Sequence, residues 1–141
     1  DSNITTKLRA ALINIGSNEN TVIDGIKKVI AQDESLAQGW MQLAMAHLRK
    51  GDEKAVLDVV NNWSQSQPAN GKALMGVIHF TQVKTELAVS ALEAALSIEP
   101  NHLGANQYLL QAYEKLKRDD DVYKQAQHVL SFAPSIALSN M

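Results

Sequence analysis

The chain has 141 residues, 45% of them apolar and 20% charged, with a formal net charge of −2. These values describe one ordinary globular domain that can bury a core, not a disordered segment. The near-neutral balance leaves no basic footprint for nucleic acid. The absence of cysteine excludes disulfides and thiolate metal sites. No apolar run approaches the roughly 18 residues of a membrane span.

In chain order the sequence reads as helices in pairs. "NITTKLRAALINIG" and "TVIDGIKKVIAQDES" both carry a helical apolar rhythm. "AQGWMQLAMAHLRKGD" follows, with Trp40, Leu43, Ala44 and His47 on one stripe and Gly51-Asp52 as a turn. There Gly51 suits a left-handed C-cap and Asp52 an N-cap. The next helix carries Asn62-Trp63 and ends before Pro68. "ALMGVIHFTQ" places Met75, Gly76 and His79 at the spacing of Leu43, Ala44 and His47. "TELAVSALEAALSIEP" puts Leu87, Ala88, Ala91, Leu92, Ala95 and Leu96 on one apolar stripe. "ANQYLLQAYEKLKRDDD" brings Leu109, Leu110 and Tyr113, and "DDDVYKQAQHVLSFAP" brings Val122, Ala126, Val129 and Leu130. Lys115, Lys117 and Arg118 close one helix and Asp119, Asp120 and Asp121 open the next, each sign matching its local macrodipole. Prolines 68, 100 and 134 each stand just past a helix end.

The pairs recur. Leu96, Ser97 and Pro100 return 34 positions later as Leu130, Ser131 and Pro134, and a fixed period of that length means stacked supersecondary units. The residues resemble the tetratricopeptide repeat, whose pattern is W-x2-L-G-x2-Y, then A-x3-F, then a small residue and proline. Trp40-x2-Leu43-Ala44-x2-His47 carries the first part. Met75-Gly76-x2-His79, Ala88-x3-Leu92, Ala95 and Pro100 carry nearly all of it, and Leu109-Leu110-x2-Tyr113, Val122-x3-Ala126 and Pro134 carry it again. The resemblance implies an all-α fold: a single domain over 1–141, built as a right-handed α-solenoid of about four helix-turn-helix repeats. The repeats fall at about 3–36, 37–68, 69–102 and 103–136, and 137–141 reads as the start of a truncated next helix. Trp63 departs from the family, which prefers small residues there. Gly76 and Ala44 are expected where a helix backbone approaches its partner, and Ala88 and Ala95 where the returning helix packs.

No catalytic constellation is legible. The four histidines form no HxxxH or HExxH pair, and there is no P-loop, GxGxxG or nucleophile elbow. No catalytic residue, metal site or cofactor is therefore expected. In the family the first helices of successive repeats line a concave face. Here that implies a partner-binding groove of Met41, Met45 and Leu48, then Ala73, Val77 and Phe80, then Gln107, Tyr108, Gln111 and Glu114. The alternative is that the Met and Phe stripe packs first helix against first helix. The family's basic and asparagine-lined clamp for a C-terminal carboxylate finds no matching residues.

The reading is thus a noncatalytic module for a protein or peptide partner, with no nucleic acid and no membrane insertion. The alternatives are a spacer segment of a longer bacterial repeat lipoprotein or scaffold, or a regulatory arm of an enzyme outside this segment. The restart after Pro134 predicts a longer array, with Val122, Val129 and Leu130 short of cover and self-association possible at that end.

Overall fold

The computed structural model describes residues 4, 6–8 and 19–134. Seven helices run through 19–134: α1 (Glu19–Gln32), α2 (Ala37–Lys50), α3 (Glu53–Ser66), α4 (Pro68–Thr81), α5 (Thr85–Ile98), α6 (Leu103–Lys115) and α7 (Asp119–Phe132). No strand occurs among the described residues. Residues 4 and 6–8 are helical too, with Ile4 and Leu8 buried. The rest of the first expected helix, and the expected helix start at 137–141, lie outside the described residues. None of the seven helices exceeds 14 residues. An isolated helix of that length is marginal in water, so packing and caps must carry each one.

The chain divides into two compact units, Asp1–Trp63 and Ser64–Met141. In the first, α1 buries Val22, Ile23, Ile26, Val29 and Ile30 and packs on α2, which buries Leu43, Ala44 and His47. Trp63 of α3 is 2% exposed. Its indole stacks on Trp40, with centroids 6.0 Å apart and planes 6° from parallel, and Trp40 Nε1 donates to the Glu34 carbonyl at 2.8 Å. Such a pair adds ~0.5–1.5 kcal/mol beyond the area it buries. So the bulky residue that departs from the family pattern is absorbed by the aromatic residue that follows it. The closest helix pairing is elsewhere, between α4 and α5.

That close approach belongs to the second unit. A Cβ on Gly76 would stand 2.6 Å from Leu92 Cγ, and a Cβ on Gly71 would stand 2.7 Å from Ser64 Cα. The core around them holds Ala73, Ala88, Val89, Leu92, Ala95, Ala105, Leu109, Ala112 and Tyr113. Five small alanines in that set let helices meet backbone to backbone. Two expectations need correction here. Leu87 is 53% exposed and Val89 is buried in its place, because the α5 stripe centres on Ala88, Leu92 and Ala95 and its shoulder falls on the C-terminal side. Val129 is fully buried and not short of cover, while Leu130 is exposed and Val122 half-buried.

Three helices end by one device. The amides of Gly51, Val83 and Lys117 donate to the carbonyls of Leu48, Phe80 and Glu114. The next amides, of Asp52, Lys84 and Arg118, reach back to the carbonyls of His47, His79 and Tyr113 at 2.9–3.0 Å. This is the Schellman closure, with the first residue of each set left-handed at φ 77°, 61° and 57°. Gly51 takes that conformation freely and the Asp52 carboxylate then accepts the Ala55 amide at 3.1 Å, as the sequence predicts. Val83 does not take it freely, since a β-branched side chain at positive φ is strained. At 73% exposure it buries little in return. Relief of about 1–2 kcal/mol of left-handed strain outweighs the ~0.5–1 kcal/mol entropic penalty of glycine. Val83→Gly should therefore raise the midpoint of urea unfolding slightly, and a lower midpoint would count against the strain.

The recurring proline junction is a polar joint. Pro68 opens α4 directly after Gln67, whereas Pro100 lies in the turn between α5 and α6, so the two prolines punctuate differently. The His102 ring caps α6: Nδ1 accepts the Ala105 amide at 3.0 Å, so Nε2 carries the proton and donates to Asn70 Oδ1 at 2.6 Å. Asn70 Nδ2 in turn donates to Gln67 Oε1. Asn106, fully buried, donates to the Pro100 and His102 carbonyls at 3.1 and 2.8 Å and accepts from Gln125 Nε2. His128 Nε2 donates to the same Pro100 carbonyl at 2.9 Å. Side chains from α4, α6 and α7 thus converge on one turn.

Candidate partner-binding surface

Steps of four and three along α2 set Met41, Met45 and Leu48 on one strip, and all three are half-buried. The strip lies beside the buried Leu43, Ala44 and His47, so α2 has a core face and a partly accessible apolar face. Met41, Met45 and Leu48 belong to the first unit, and the other expected groove residues belong to the second.

In the second unit Ala73 and Val77 are buried, which leaves Val77 little surface to offer. Phe80 is half-buried and meets Tyr108 edge to face, with centroids 5.6 Å apart and planes at 77°. This is a contact between the first helices α4 and α6, which pack together. Gln107 and Tyr108 are half-buried and Gln111 is exposed on α6. Lys115 at the end of α6 places Nζ 4.8 Å from the Phe80 ring centroid. The sequence reading assigned Lys115 only to the helix macrodipole. Position 115 falls eight residues after Gln107, on the same helical face, and that spacing was the available signal.

His47 and His79 hold the same place in their repeats, one residue position that Tyr113 fills later. Each has a buried Nδ1 with no hydrogen-bond partner. Burial holds the His47 ring below its ordinary value near 6.5, with Lys27 and Lys50 adding to this and Asp52 opposing it. Burial also lowers His79, with Lys84 adding. Each ring thus takes a proton less readily in the fold than in the unfolded chain. Their contribution is therefore complete above the unfolded value and is lost as pH falls below about 6.5 toward the depressed folded values. Thermal melts should show a midpoint that declines from pH 7.5 to 5.5. The slope should flatten when both histidines are replaced by phenylalanine, and an unchanged slope would exclude them as its source.

Two clefts are lined by none of the strip residues. One of about 200 Å³ lies beside Trp40, Leu43, His47 and Val59. The other, of about 450 Å³, lies against Gln67–Asn70, Ile98 and Glu99. Among the described residues no group of three or more His, Cys, Asp or Glu could hold a metal ion. No described helix is long and apolar enough to cross a membrane.

No family model matches the chain, and no curated protein matches it either. Solved structures do. A crystal structure of MamA is similar with a TM-score of 0.60 and 23% identity, covering 96% of this chain and 81% of that one. A second MamA crystal structure gives 0.57 and 23%, covering 92% and 72%. A thermophilic TPR protein of Thermus thermophilus gives 0.59 and 13%, covering 93% and 75%. At these identities the likeness is one of fold.

Proposed function

We propose that this chain, which has the all-helical tetratricopeptide-type fold of those proteins, is a noncatalytic interaction module that holds a protein or peptide partner on the faces of its first helices. The observation that carries this reading is the partial exposure of Met41, Met45 and Leu48 beside a separate, fully buried face of the same helix. An unbranched thioether adapts to varied partner shapes, and a helix or extended segment laid on such a strip gains apolar contact without new folding. On α6 the amides of Gln107 and Gln111 stand ready for the hydrogen bonds that fix a register.

Panning a random peptide library against the chain tests this. Peptides held by the α2 strip should lose binding to Met45→Lys, and peptides held by α6 should lose binding to Gln107→Ala/Gln111→Ala, while helicity and the melting midpoint stay near the parent values. Met45 is only half-buried, so its replacement leaves no charge sealed in a core. Peptides that bind the variants as well as the parent would sink the proposal. Melting of Met45→Lys would instead assign that residue to packing.

A further inference from the structure

The Phe80 ring already carries an ammonium, with Lys115 Nζ 4.8 Å from its centroid. Tyr108 stands nearly perpendicular against that ring, and the negative face of a ring attracts a cation placed over it. Lys115 fills that place from within the chain. The side chain of Lys115 is exposed while Phe80 and Tyr108 are half-buried, so the rings are fixed and the cation is the part free to leave. Around the seat α6 shows acceptors: the amide oxygens of Gln107 and Gln111 and the carboxylate of Glu114, at positions 107, 111 and 114 along one helical face. Gln111 and Glu114 are exposed.

We infer that the Phe80–Tyr108 pair is a cation subsite for a lysine or arginine of the partner segment, and that Lys115 is its intramolecular placeholder. This rests on the partner-binding reading of α4 and α6. A segment with a basic side chain exchanges its own cation for Lys115 over Phe80, so a cation lies over that ring in either state. Its backbone then lies along Gln107 and Gln111, with Glu114 offering the displaced or arriving charge a counter-ion. The exchange is nearly neutral in contact energy, which makes the site selective for a cation rather than strongly adhesive. Charge is what the seat reads.

The test uses the whole chain, labelled for NMR, and a pentalysine peptide as probe. Pentalysine should shift the resonances of Phe80 and Tyr108, and the fully Nε-acetylated peptide should not. Lys115→Ala empties the seat and should tighten pentalysine binding about two- to fivefold, the factor that an exposed cation–π contact provides. Lys72→Ala removes the same charge from the same unit without emptying the seat, and should tighten binding less. Phe80→Leu should remove the gain from Lys115→Ala while the midpoint of unfolding reports whether the fold survives. Equal shifts from the acetylated and free peptides, or equal effects of Lys115→Ala and Lys72→Ala, would overturn the inference. If neutral peptides move the Gln107 and Gln111 resonances and pentalysine moves none, the partner-binding reading stands and the cation subsite falls.

Discussion

Gly76→Leu is expected to destabilise the chain by more than any surface change, and Gly71→Ala to follow it closely. Leu92, whose Cγ and Cδ2 would lie 2.6 and 2.7 Å from a Cβ at position 76, is fully buried. The Ala88 carbonyl also stands 3.4 Å from the added atom. Overpacking of this kind costs ~1–3 kcal/mol for modest insertions, and three further carbons take Gly76→Leu to the top of that range or past it. At Gly71 even one carbon meets Ser64, with Oγ 1.8 Å and Cα 2.7 Å from the added atom. The hydroxyl can rotate aside but the backbone cannot. Gly104 supplies the contrast. Its nearest neighbour to an added Cβ is His102 Cε1 at 3.4 Å, an ordinary contact, so Gly104→Ala should be neutral or stabilising by up to ~1 kcal/mol through helix propensity. Urea unfolding of the three variants checks the order. Equal midpoints for Gly76→Leu and the parent would show that the α4–α5 crossing is looser than these distances require.

Asn106→Leu is the second large effect. The side chain is fully buried and every one of its polar atoms is engaged, by the Pro100 and His102 carbonyls and by Gln125. Leucine keeps the volume and removes the bonds. The Pro100 carbonyl still has His128, and the His102 carbonyl still has the Asn106 amide at 3.1 Å, but Gln125 loses its acceptor. The expected loss is about 1–3 kcal/mol, from three hydrogen bonds each worth ~0.5–1.5 kcal/mol net, offset in part by the partners the two carbonyls keep. Asn106→Asp should be worse at pH 7, because it turns a carboxylate toward two carbonyl oxygens in a dry site. Calorimetric melts of the two variants at pH 7 give the comparison. If Asn106→Leu melts with the parent, the polar joint contributes shape but no stability.

The sequence by itself determined the helical pairs, their period and the chemistry of several ends. Gly51-Asp52 is legible because glycine reaches the left-handed conformation and aspartate accepts an amide, both local properties. Gly76 is legible because the repeat motif, Leu43-Ala44-x2-His47 and Met75-Gly76-x2-His79, aligns it with Ala44, and a backbone crossing tolerates only a small residue. Exposure along a helix was readable only to within a shoulder of the stripe. That is why Leu87 and Val89 exchanged places, and why Val77 lies buried among residues expected to face a partner.

What the tertiary structure decided depends on atoms far apart in the chain. Trp63 looks out of place beside its neighbours, and in the fold it is buried with the ring of Trp40, twenty-three positions earlier, stacked on it. Asn106 stands at the position that Trp40 fills in an earlier repeat, and no local rule makes a polar residue acceptable there. It is accepted because a proline turn six residues back and a glutamine nineteen residues on complete its bonds. Lys115 read as a helix-end charge, and only the ring of Phe80, thirty-five positions earlier in the chain, makes it a cation over an aromatic face. Propensity and capping are set within one turn of helix, so a sequence displays them. Partners for buried polar groups and ring faces are set by the meeting of helices, and those meetings are decided in three dimensions.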